Sequence, residues 1–100
     1  MNEQTAQERE QAVLLAHKIR IQLFKLTTMA LEYRLAEAKH NREMNVESWR
    51  HREAVGKMYE QESQWFYDRN LLPQWSENER CFIKATPTPE NANKGEVSNG

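Results

Sequence analysis

The chain is poor in cysteine, proline and glycine, with one, three and three of them in 100 residues. The lone Cys81 has no partner for an internal disulfide, which suits a reducing compartment. Two of the three glycines stand at 95 and 100, leaving only Gly56 within the body. There is no glycine-rich loop to cradle a phosphate, and no serine sits in a nucleophile elbow. No run approaches the ~20 consecutive apolar residues of a membrane span. The opening Met1-Asn2-Glu3-Gln4 lacks the basic region and apolar core of a secretory signal. Net charge is −1, so no overall field draws in nucleic acid or an anionic membrane. The expectation is a soluble, cytoplasmic, non-enzymatic protein without cofactor or metal.

What is present is charge and helical periodicity. Hydrophobic residues make up 38%, charged residues 29%, and mean hydropathy is −0.98. A chain of this size buries only about two-thirds of its unfolded surface, so a marginal body or one completed by a partner is expected. Thr5 to His40 contains neither glycine nor proline. Thr5 and Glu8 form a capping-box signature at its start. Ala12, Leu15, Ile19, Leu23, Leu26, Ala30 and Tyr33 then recur every three or four residues as a heptad-type seam. Beside it runs a second line, Leu14, Ile21, Phe24, Leu31 and Leu35. Together they form a face wider than one helix–helix contact needs, to be covered on more than one side.

Asn41-Arg42-Glu43-Met44-Asn45 interrupts the seam, and Asn45 or Ser48 can cap a new helix. The reading is a turn and a second helix from about Val46 to Arg69; one unbroken helix to Arg69 is the alternative. On the second helix Trp49, Val55, Met58, Tyr59, Glu62, Trp65 and Phe66 fall near one side. Gly56 either permits close approach to the first helix or marks a weak point. Pro73 turns Leu72 away from helical angles. Ser76 and Glu79 carry a second capping signature for a short helical turn, and Cys81-Phe82-Ile83 is the last apolar cluster. From Ala85 onward only Val97 is a larger apolar side chain, so that tail is read as disordered. The expected fold is therefore all-α: a long helical hairpin with a short C-terminal segment over residues 1–84 and a disordered tail over 85–100.

Candidate chemistry is thin. Glu37-Ala38-Lys39-His40 matches Glu-x-x-His, but di-iron bundles need a second copy, which is absent. His17, His40, His51 and Cys81 lack zinc spacing. The small basic clusters, Arg50-His51-Arg52 beside Trp49 among them, are interleaved with glutamates and read as a mixed solvated face rather than a nucleic-acid site. The sharpest feature is the aromatic run. Trp65, Phe66 and Tyr67 point about 100° apart on a helix, so they cannot all face one thin core. Trp65, Phe66, Arg69, Pro73 and Trp75 are the candidate partner-binding residues, with Pro73 stiffening the corner that presents Trp75. Packing of the C-terminal segment onto the hairpin is the alternative use of these rings.

In its length, its opening residues and the run Trp65-Phe66-Tyr67-Asp68-Arg69-Asn70-Leu71-Leu72-Pro73-Gln74-Trp75, the chain resembles the anti-RecBCD proteins of lambdoid phages. That resemblance implies a small protein that binds the host RecBCD helicase–nuclease and alters it in favour of phage recombination. It carries no defined motif, so no functional residue transfers with it. The other expectations are a homo-oligomeric coiled coil built on the first helix, and a small nucleic-acid-binding protein.

Overall fold

The computed structural model describes residues 2–89, with side chains from Thr5 onward. The order is α1 (Asn2–Glu43), α2 (Val46–Tyr67), β1 (Leu71–Ser76) and β2 (Cys81–Pro87). The fold is mostly helical, but it is not all-α: the segment after α2 is a two-stranded antiparallel hairpin. The 42 residues of α1 rise about 63 Å at ~1.5 Å each. That matches the molecule's longest dimension, 62 Å, so α1 spans the whole body. It begins before Thr5, which therefore lies within the first turn rather than capping it.

The chain reverses within two residues. Met44 adopts a left-handed conformation, φ 51°, and its amide donates to the His40 carbonyl at 2.7 Å, an αL cap on α1. Asn45 then caps α2: its Oδ1 accepts from the Ser48 amide at 2.7 Å, and the Asn45 amide donates to Ser48 Oγ at 3.3 Å. His40 Nδ1 lies 2.9 Å from the same hydroxyl and ties the end of α1 to the start of α2. The unbroken-helix alternative falls here.

Antiparallel to α1, α2 presents Ser48, Val55, Ser63 and Phe66 as its buried residues. Two of these are serines, where the hydrophobic pattern placed Trp49 and Met58; both of those are exposed. A serine can be buried in a helix because its hydroxyl returns to its own backbone, as Ser63 Oγ does to the Glu60 carbonyl at 2.8 Å. Small residues let the helices approach. The helices come close at Gly56: a Cβ built there would stand 3.2 Å from Tyr33 Cε1, so a side chain at 56 requires the Tyr33 ring to yield by a few tenths of an ångström.

Asn70, left-handed at φ 56°, ends the helical region and starts β1. The strands pair from Leu71↔Pro87 to Ser76↔Cys81, with Ile83 unpaired at a bulge opposite Gln74 and Trp75. Pro73 is accommodated because in a two-stranded ribbon every strand is an edge. Ser76-x-x-Glu79 does form its bond, Glu79 amide to Ser76 Oγ at 3.2 Å, but the turn does not continue into a helix. The Arg80 amide closes it on the Ser76 carbonyl at 2.8 Å, and Arg80 at φ 55° redirects the chain into β2. Ala85, Thr86 and Pro87 belong to β2, past the boundary expected at residue 84, and the Thr88 amide bonds the Asn70 carbonyl at 3.0 Å. The rest of the tail, 90–100, lies outside the described residues.

The core sits where these elements meet. Leu23 and Leu26 of α1 and Phe66 of α2 are buried together, with Ile19, Tyr59, Trp65, Leu71, Phe82 and Ala85 packed around them. β2 lies along α1, fixed by the Phe82 amide donating to Thr27 Oγ1 at 2.9 Å.

Candidate partner-binding surface

The five residues singled out from the sequence do not form one exposed patch. Phe66 is wholly buried and belongs to the core, so it offers no surface to a partner. Trp65 meets Phe66 edge-to-face, centroids 5.0 Å apart, and is half-buried. Arg69 is exposed but engaged within the chain. Its guanidinium stacks 4.0 Å over the Trp65 ring, and Nη1 donates to the Trp65 carbonyl at 3.0 Å. Pro73 is a strand residue paired with Ala85. Trp75 is held in β1, edge-to-face with Phe82 at 4.9 Å, with the guanidinium of Arg34 of α1 stacked 4.6 Å from its ring centroid. Its indole N–H donates to Glu77 at 3.1 Å, and Glu77 also pairs with Arg34 at 3.6 Å. That ion pair is exposed on both sides and contributes little by itself. Of the three consecutive rings, Tyr67 is the one left outward.

Behind Trp75 lies a cavity of about 360 Å³ lined by Ala30, Tyr33, Arg34, Tyr59, Trp75 and Phe82. Burial pushes the Tyr59 phenol above its ordinary value; the nearby Tyr67 adds to the shift and Arg34 opposes it. Arg34 was not a candidate from sequence, because nothing in its local spacing signals that it will reach residue 75.

The larger unsatisfied surface is on α1. Ile19, Leu23 and Leu26 face the core, but the line Leu14, Ile21, Phe24, Leu31 and Leu35 does not. It was expected to be covered; instead those residues are 59, 55, 75, 37 and 73% exposed. At about 100° per residue, this line and the inner seam lie roughly 160° apart on the helix. α2 and the β-hairpin arrive from one side only, so α1 carries two apolar faces and the body covers one. The N-terminal part of α1 projects further still: every described side chain from Thr5 to Lys18 is exposed, Val13, Leu14 and Leu15 included. Met58 of α2 joins Phe24, Lys25, Thr28, Met29 and Glu62 around a shallow groove beside the outer line.

Among the described residues no group of three or more His, Cys, Asp or Glu side chains is placed to hold a metal ion, and His40 of the Glu-x-x-His pair is turned to Ser48. No described helix is long and apolar enough to cross a membrane. No family model, no curated protein and no solved structure matches the chain.

Proposed function

We propose that this chain is a non-enzymatic protein-binding modulator that docks a larger protein on the outer face of α1. One observation carries the reading: an apolar line from Leu14 to Leu35 left uncovered on the longest and most regular element. Large apolar side chains left exposed in a row along one face mark interaction sites in small polar proteins. Trp65, Tyr67, Arg69 and Trp75 belong to the elements packed on the inner side of α1, level with Ile19 to Arg34, and supply a second, aromatic contact region, with Phe66 acting only through the fold. The resemblance of the Trp65–Trp75 run to anti-RecBCD proteins makes the RecBCD helicase–nuclease the first partner to test, with the bacterial cytoplasm as the site of action.

The test is photo-crosslinking. A photoreactive phenylalanine analogue replaces Phe24, and in separate variants Tyr67 and exposed Glu53 as a control. Each variant is irradiated with purified RecBCD and in bacterial lysate, and adducts are identified by mass spectrometry. The expected result is a discrete adduct with another protein from position 24 and none from position 53. Adducts from neither position 24 nor 67 would refute a protein-binding role for these surfaces; an adduct with a protein other than RecBCD would retain the role and change the partner.

A further inference from the structure

The outer face of α1 also constrains what can lie on it. Leu14, Ile21, Phe24, Leu31 and Leu35 follow one another at seven, three, seven and four residues, the spacing of a two-helix seam. His17 and Thr28 also fall within the line: the Thr28 hydroxyl is already bonded to the Phe24 carbonyl at 3.2 Å and can be covered without leaving an unpaired donor, whereas the exposed His17 imidazole needs a hydrogen-bond partner on the occupant. The rims of the seam are basic. Lys18, Lys25 and Lys39 stand along one edge at multiples of seven residues, all exposed, with Glu32 the one acid at that spacing and Glu62 of α2 lining the same groove as Lys25. Arg20 is on the opposite edge, also exposed.

Resting on the docking role proposed above, we infer that the occupant of this seam is an amphipathic helix of the partner whose apolar line is flanked by acidic residues. Charge complementarity selects it. A second copy of the chain is a poor fit. In a parallel pair Arg20 meets Lys25 of the copy; in an antiparallel pair the lysine edge faces itself, with only Glu32 to offset it. A bilayer fits poorly too, because the line is narrow and has Glu32 and Glu62 at its margins. An acidic helix places a carboxylate opposite each lysine and buries the apolar line between them.

The experiment uses the full chain and two synthetic four-heptad peptides with leucine at both seam positions, one carrying glutamate at the flanking positions and the other lysine. Fluorescence anisotropy gives affinities at low and high salt. The glutamate peptide is expected to bind at least about tenfold more tightly than the lysine peptide, with the difference shrinking as salt rises. The triple variant Lys18→Glu, Lys25→Glu, Lys39→Glu touches no buried residue and should melt as the parent does while reversing the preference. Equal affinity for the two peptides, or an unchanged preference in the triple variant, overturns the inference. So does a parent dimer in sedimentation that Phe24→Lys dissolves, which assigns the seam to a second copy. Binding to phosphatidylcholine vesicles one-third phosphatidylglycerol in preference to the glutamate peptide overturns it as well. A partner crosslink at position 24 that persists when the peptide preference fails sinks only this inference, whereas loss of both sinks the docking face.

Discussion

Replacing Met44 with glycine tests the reversal on which the whole arrangement depends. Met44 sits at φ 51°, where an L side chain costs roughly 1–2 kcal/mol and glycine costs nothing comparable. Glycine gives back about 0.5–1 kcal/mol through its greater freedom in the unfolded chain. The methionine side chain is 73% exposed, so its loss removes little packing. The balance lies between about 0 and 1.5 kcal/mol of stabilisation, and its midpoint corresponds to a rise in Tm of about 3–6 °C for a domain this small. Met44→Ala is the control: alanine meets the same left-handed penalty as methionine, so its melting should barely move. In a continuous helix through residue 44 the signs reverse. Glycine would then destabilise by about 1 kcal/mol and alanine would be neutral or better. Thermal melts of both variants by circular dichroism therefore decide the geometry by sign. A lower Tm for Met44→Gly than for Met44→Ala would refute the left-handed cap.

Phe66→Ala should cost about 3–5 kcal/mol, because the ring is fully buried against Leu23 and Leu26; wild-type melting would place it at the surface. Gly56→Ala should stabilise by up to about 1 kcal/mol, since Tyr33 borders a cavity into which it can yield, while Gly56→Leu should destabilise; denaturant midpoints check both. Truncation after Ala85 removes the Thr86 and Pro87 pairings and the Gln74–Thr86 bond at 3.1 Å, so it should lower Tm relative to truncation after Pro89. Because burial raises the Tyr59 pKa, its contribution is fully present below the unfolded value of about 10 and is lost as pH rises through the folded pKa. Tm should fall above about pH 10, and Tyr59→Phe should flatten that fall.

Much of this architecture is written in local signals, and the misses share a cause. The break at Asn45 and Ser48 is legible because capping is a side chain-to-backbone interaction within four residues. The inner seam is legible because Ile19, Leu23 and Leu26 obey helical spacing. Ser48 and Ser63 are not legible as core, since they score as polar and only the tertiary contact asks for something small. The outer line of α1 was visible, but its coverage depended on how many elements would reach it, which periodicity does not tell. The β-hairpin was hidden by Pro73 and by Ser76-x-x-Glu79, a signature that suits a helical start and a tight turn alike. The aromatic pairing of residues 75 and 82 across a four-residue Glu-Asn-Glu-Arg loop was the overlooked clue. Arg34 over Trp75 is a contact between residues far apart in sequence, and nothing local announces it.

The hydrogen bond from the Phe82 amide to Thr27 joins residues 55 positions apart. Synthesis at about 5–20 residues per second puts roughly 3–11 seconds between the addition of Thr27 and that of Phe82. During that interval α1 can form, since helices grow in microseconds, but its inner seam waits first for Phe66 of α2 and then for Phe82 and Ala85 of β2. The nascent chain therefore shows apolar surface on two sides before it shows it on one. Slowing elongation between codons 67 and 82 should raise the insoluble fraction in expression trials, whereas slowing it after codon 89 should not.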